Sequence, residues 1–313
     1  MAAVKNEGVS VTENFEIFSH LRYEHLVAGT TAGLTSTVTL HPLDVIKIRF
    51  AAHDGRHQYT PKYSGIANAF VTIAREEGLR GLYKGVVPNC WGAGASWGLY
   101  FLFYNSSRTI WAQRSKEELG PLENSLAAAL SGALTLVITN PLWVVKTRLC
   151  LQHNDQSRRY SGMVDALTKI YHNEGVKGYY RGFVPGLFGV SHGAVQFVVY
   201  EEMKTTYGTY YNLPQNSQLG TVQYLTFAAI SKIIAAGVTY PYQVVRTRLQ
   251  NQYYTYKGSL DCIRQTWAFE GWRGFYKGLG SNLIRVTPAT MITFVTYEKV
   301  SHFLMKRSKN FEA

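Results

Sequence analysis

One eight-residue pattern occurs three times: PLDVIKIR from Pro42, PLWVVKTR from Pro141 and PYQVVRTR from Pro241. The copies lie 99 and 100 residues apart, about a third of the 313-residue chain. A second pattern keeps the same rhythm. Tyr63, Tyr160 and Tyr256 each stand two residues before a glycine and 14 before an acidic-Gly pair: Glu77-Gly78, Glu174-Gly175 and Glu270-Gly271. Three residues on comes another glycine, then Tyr83-Lys-Gly85, Tyr180-Arg-Gly182 or Tyr276-Lys-Gly278. Two blocks repeated in register mean one structural unit copied three times, so the expected body is pseudo-threefold.

Charge placement says what that body is made of. Residues 25–43, 85–107, 124–145, 182–200 and 205–231 contain no Asp, Glu, Lys or Arg. A sixth span, 278–300, is interrupted by Arg285 and, near its end, by Glu298 and Lys299. About 20 residues cross a hydrocarbon core, so six membrane helices, two per repeat, are expected. Their Gly, Ala, Ser and Thr permit close packing and a wet interior. That interior explains a mean hydropathy of only −0.11. Between the helices of each repeat a short amphipathic helix is expected, as Ile66, Phe70, Ile73 and Ala74 illustrate.

The expected long helices are 23–50, one following EEGLRGLYKG, 123–151, 185–207, 221–250 and 281–306. Short helices near 162–173 and 258–269 restate the one at Ile66. Residues 1–21 and 307–313 read as tails around repeats 22–112, 121–210 and 219–306, with polar seams QRSKEELGPLEN and NLPQNSQLG. Each Pro of the triplicated motif falls inside a helix and should kink it. The N-terminus has neither an apolar signal core nor an Arg-rich transit pattern. Three cysteines without ligand spacing read as buried free thiols.

A net charge of +12 admits nucleic acid, a membrane surface or an anionic substrate as partner. No nucleic-acid module is present, and the basic residues recur at fixed repeat positions. No nucleophile elbow, P-loop, metal-ligand cluster or catalytic carboxylate pair supports an enzyme, and no cofactor is expected. A soluble helical scaffold would repeat every 20–50 residues, not every hundred.

Three copies of Pro-x-[Asp/Glu]-x-x-[Lys/Arg]-x-[Lys/Arg], with the downstream acidic-Gly and aromatic-basic-Gly blocks, resemble the mitochondrial carrier family over about residues 22–306. The resemblance implies an all-α, six-helix barrel of tandem repeats in the mitochondrial inner membrane, working by alternating access. It also implies a monomer with both termini in the intermembrane space and the short helices on the matrix side. In the family the acid of one motif pairs with the base of the next to close a matrix gate. Here that gate comprises Asp44, Trp143 and Gln243 with Lys47, Lys146 and Arg246. Only Asp44–Lys146 can be a full ion pair, although Gln243 can accept from Lys47. Adding Arg49, Arg148 and Arg248 gives six cations against one anion, a surplus that suggests a visiting anion.

The opposite, cytoplasmic gate would use Asn105 with Arg108, Glu201 with Lys204, and Glu298 with Ser301. Only Glu298 and Arg108 can form a full pair there. Two weak gates are compatible with uniport as well as exchange. The glycine turns at Gly65, Gly85, Gly162, Gly182, Gly258 and Gly278 hold cardiolipin in the family, consistent with phosphate binding at helix starts.

Between the gates lie the candidate substrate contacts. Lys232 and Arg285 are cations in apolar helices, where a charge costs roughly 2.5–3.5 kcal/mol. Neither has an acidic partner within its own helix, and Lys232 stands three turns before Gln243. Trp97, Tyr100 and Gly92 on the second helix, with Phe188, Gly189 and His192 on the fourth, offer a flat slot for a planar ring. Trp143 at an acidic position resembles the subgroup that moves aromatic anionic cofactors. With Arg246 it completes the contact set, and the expected substrate is folate, FAD or both. NAD or a pyrimidine nucleotide is the alternative.

Overall fold

The computed structural model describes residues 23–54, 63–115, 120–153, 159–211, 220–253 and 256–309. Among them every regular element is helical. Six long segments carry the fold: α1 (Tyr23–Ala52), α4 (Val86–Ser115), α5 (Pro121–Leu151), the pair α7 (Phe183–Leu187) and α8 (Val190–Tyr210), α9 (Thr221–Gln250) and α11 (Leu279–Lys309). Short helices α2 (Ile66–Glu76), α3 (Gly78–Gly81), α6 (Met163–Tyr179) and α10 (Ser259–Glu270) lie between them, with a 3-10 turn at Gly271–Tyr276.

These bounds follow the expected ones except that α6 runs on to Tyr179 instead of ending near 173, and in three further respects. The charge-free window 205–231 is not one helix, because it spans the end of α8 and the start of α9. The last helix runs to Lys309, past the expected tail boundary at 306. The fourth long helix is interrupted at Phe188-Gly189. There Phe188, Gly189, Ser191 and His192 bond to carbonyls three residues back rather than four, a 3-10 tightening. The tail 1–21, most of the linker 53–62, residues 116–119 of the first seam and 212–219 of the second lie outside the described residues.

The helices are inside-out relative to a water-soluble bundle. Ser131, Thr139, Asn140, Ser231 and His41 are buried, while Leu130, Val137, Ile233, Ile234 and Phe294 are exposed. Apolar side chains facing outward suit lipid, not water. Among the described residues, only Glu123–Leu151 and Phe183–Tyr210 qualify as membrane spans by length and apolarity alone. The other four long helices have 30 or 31 residues, so length is not what they lack. Polar and charged residues turned inward dilute their hydropathy. Pro42, Pro141 and Pro241 sit within α1, α5 and α9 without ending them.

Two compact units divide the chain: residues 37–287, and residues 1–36 with 288–313. In the smaller unit Ser36 Oγ donates to the Ala289 carbonyl at 3.3 Å. The larger one closes a ring. Arg49 Nε donates to the Cys150 carbonyl at 3.0 Å, Arg148 Nε to Gln250 at 3.3 Å and Arg248 Nε to Ala51 at 3.1 Å. Repeat 1 thus reaches repeat 2, repeat 2 reaches repeat 3, and repeat 3 returns to repeat 1. Each guanidinium also forks onto the acid of its own repeat: Glu77 at 2.5 Å, Glu174 at 2.5 Å and Glu270 at 2.6 Å. Such bidentate pairs hold position as well as charge.

The repeated glycines have a backbone reason at this ring. Gly85, Gly182 and Gly278 take φ of 81°, 72° and 87°, a left-handed conformation that glycine adopts freely. A Cβ at Gly278 would stand 2.9 Å from the Lys47 carbonyl, and one at Gly182 2.9 Å from that of Arg246. These turns seat α4 against α5, α7 against α9 and α11 against α1.

Candidate functional site

The Pro-motif side chains meet where α1, α5 and α9 converge. Asp44 Oδ2 takes Lys146 Nζ at 3.1 Å. Lys47 Nζ donates to Gln243 Oε1 at 2.8 Å and to Asn282 Oδ1 of α11 at 2.9 Å. The third seam has no such link. Trp143 lies under the Lys146 ammonium, 5.4 Å from ring centroid to nitrogen, and Arg246 donates instead to Asn140 Oδ1 at 3.2 Å. The three seams therefore hold one ion pair, one neutral acceptor and one aromatic ring.

Arg49, Arg148 and Arg248 do not add to the charge at this point. Each pairs with the glutamate of its own repeat and lies outside the cavity lining, so six cations against one anion is an overcount. An excess survives on other residues. A cavity of about 290 Å³ above the convergence is lined by Lys47, Lys146, Lys232, Arg246 and Arg285 but by one carboxylate, Asp44. Lys232 makes no hydrogen bond or ion pair among the described residues. Arg285 does have a partner: its Nε lies 3.2 Å from Asp44 Oδ1, close enough for ion pairing though not aligned as a hydrogen bond. Its acid comes from α1, so the pair was invisible in the sequence of α11. Asn89, which sequence reasoning missed, donates to Asp44 Oδ2 at 3.4 Å.

The expected slot assembles only in part. Gly92 lies against the Trp143 indole, where a Cβ would sit 3.5 Å from ring atoms. His192 lines the cavity and shares a 2.9 Å hydrogen bond with Thr239 Oγ1. Gly189 packs on Tyr242, whose hydroxyl would be 3.1 Å from a Cβ there. Trp97 and Phe188, 65 % and 62 % exposed, are outside the cavity lining. Glycine-rich helix runs give little apolar periodicity from which to phase such rings. Tyr100 is also outside it, stacked 5.9 Å from Tyr104 with ring planes 4° apart.

Of the second gate, Arg108 lies over the Tyr104 ring at 5.8 Å. Glu201 and Lys204 are 4.0 Å apart on one helix, both half-buried. Glu298 and Ser301 belong to the smaller unit, with Ser301 buried. Of the outer glycines, Gly65, Gly162 and Gly258 cap α2, α6 and α10 with extended backbone, and a Cβ on any of them would meet nothing within 4 Å. Cys150 and Cys262 are buried, whereas Cys90 is only half-buried.

The sequence profile of the mitochondrial carrier protein family matches residues 20–115, 117–211 and 217–308, each of the three repeats in turn. The chain belongs to the mitochondrial carrier family. The carrier is 43% identical over 295 residues to a protein named folate transporter 1, chloroplastic, of Arabidopsis thaliana, covering 90% of this chain and 96% of that one. It is 37% identical over 279 residues to the mitochondrial nicotinamide adenine dinucleotide transporter 1 of Saccharomyces cerevisiae, covering 87% and 74%. A chloroplastic nicotinamide adenine dinucleotide transporter of Arabidopsis thaliana is 38% identical, covering 89% and 91%. It is thus a membrane carrier and not an enzyme.

Proposed function

We propose that the carrier moves folate, FAD or both across the mitochondrial inner membrane by alternating access. One observation carries the reading: the Trp143 ring and the Gly92 backbone stand beside a cavity with five cations and one carboxylate. A planar ring stacks on such a surface, and anionic carboxylates or phosphates answer the excess charge. Lys232 and Arg246, without carboxylate partners, are the first contacts for the anionic groups, and Arg285 joins them when Asp44 releases it. The Asp44–Lys146 and Lys47–Gln243 links act as the matrix gate. The opposite gate falls to Asn105, Arg108, Glu201, Lys204, Glu298 and Ser301. Cardiolipin headgroups are assigned to the six glycine turns, and the working unit to a monomer. The 43% identity to a protein named folate transporter supports the substrate class.

Relatives named nicotinamide adenine dinucleotide transporters favour NAD as a second reading. Uptake into liposomes holding the purified carrier, with labelled folate, FAD, NAD and pyrimidine nucleotides, decides between them. Saturable uptake of folate or FAD above empty liposomes is expected. Uptake of NAD alone overturns the first reading.

A further inference from the structure

The three repeats are an internal control for one another, and repeat 3 departs from its siblings on the outer side of its short helix. Counting from the shared glutamates, repeat 3 places Trp267, Phe269 and Trp272 where repeat 1 has Ala74, Glu76 and Leu79 and repeat 2 has Tyr171, Asn173 and Val176. All three aromatics point outward, 64 %, 66 % and 62 % exposed. They are not needed to seat the helix. Cys262 and Thr266 are buried, and Cys262 packs with Val245 and Phe275 against the last turns of α9. Two basic residues accompany the aromatics. Lys257 and Arg264 stand where the siblings carry Ser64 and Ser161, and Val71 and Thr168. Arg273, basic in every repeat as Arg80 and Lys177 are, lies 5.8 Å over the Trp272 ring.

Large exposed aromatics gathered with cations suit one environment. Trp and its neighbours prefer the headgroup–acyl boundary, where the ring is half-desolvated and its N–H stays wet. Adjacent Lys and Arg add attraction to anionic phospholipid, about 1 kcal/mol each near a charged surface. The segment follows closely on α9, a membrane helix, and is bound to its end by the Arg248–Glu270 pair. We infer that Trp267 and Trp272, with these cations, form an interfacial anchor inserted in the headgroup layer of an anionic leaflet, a tryptophan pair which repeats 1 and 2 lack. The occupant is phospholipid, not protein. Repeat 3 is then held at a set depth while its siblings are freer to tilt.

Tryptophan emission tests it in the reconstituted full-length carrier. The signal of Trp267 and Trp272 is the difference between wild type and Trp267→Phe/Trp272→Phe. In vesicles of phosphatidylcholine and phosphatidylglycerol, bromine placed near the headgroup should quench this difference several-fold more than bromine near the chain ends. Lys257→Ser/Arg264→Val should abolish the part of that quenching that phosphatidylglycerol adds over phosphatidylcholine alone. Quenching by aqueous iodide instead of brominated lipid would put the patch in water and overturn the anchor. Protection from both, with a shift to dimers, would assign the patch to a second copy and overturn it equally. Unaltered lipid dependence in the charge variant overturns the anionic preference. Substrate uptake by the aromatic variant reports folding separately from the anchor.

Discussion

Arg285 Nε lies 3.2 Å from Asp44 Oδ1, while the other oxygen of the same carboxylate takes Lys146 at 3.1 Å. One acid therefore answers two of the cavity's cations. Asp44→Asn leaves both without a counterion in a cavity that then holds no carboxylate. Breaking a buried pair costs about 3–5 kcal/mol. The empty variant should melt well below wild type in detergent, and an anionic substrate should raise its midpoint more than it raises that of wild type. Equal midpoints would remove Asp44 from the gate.

Trp143→Asp restores an acid opposite Arg246 and removes the ring beneath Lys146. A second full ion pair should form at the gate, so uptake should slow while thermal stability holds or rises. Unchanged uptake with unchanged stability would show Trp143 to be neither gate nor contact.

Lys232→Ala removes a cation that has no partner among the described residues. Stability should hold or rise, because burying the charge no longer costs anything. Initial uptake rates should fall most for the substrates of highest charge, since attraction scales with ligand charge. Wild-type rates, or loss only through unfolding, sink the assignment.

Two glycine substitutions should separate by their backbone. Gly278→Ala forces a left-handed residue, costing about 1–2 kcal/mol, and presses Cβ on the Lys47 carbonyl. Gly65→Ala, extended and facing open space, should leave the melting midpoint within about 0.5 kcal/mol of wild type. Equal midpoints for the two variants would contradict the ring geometry.

His153, in the turn after α5, is held down at about 4 by burial, with the nearby Arg49 adding to the effect. Its folded value is below its unfolded one, so the unfolded chain binds the proton more readily. The stability it contributes is full above the ordinary value of 6.5 and is lost as pH falls from there toward 4. His153→Gln should flatten the melting profile across that window relative to wild type. A profile of unchanged slope would exclude this histidine as its source.

The period, the six long helices and the Pro-motif residues that converge were legible because each rests on local spacing. The charge balance was not. Arg49 and Glu77 are 28 residues apart in two different motifs, and neither names the other. The Arg285–Asp44 pair joins opposite ends of the chain. Backbone carbonyls, which receive three guanidinium groups, leave no trace in side-chain chemistry. The 3-10 break at Phe188-Gly189 was equally hidden, since both residues keep helical angles.

That use of carbonyls has a consequence for how such a chain diversifies. A carbonyl is present whatever residue stands at Cys150, Gln250 or Ala51, so ring closure asks little of those side chains. Positions such as 143, 243 and 285, free of that duty, can vary with the cargo while the frame around them stays the same.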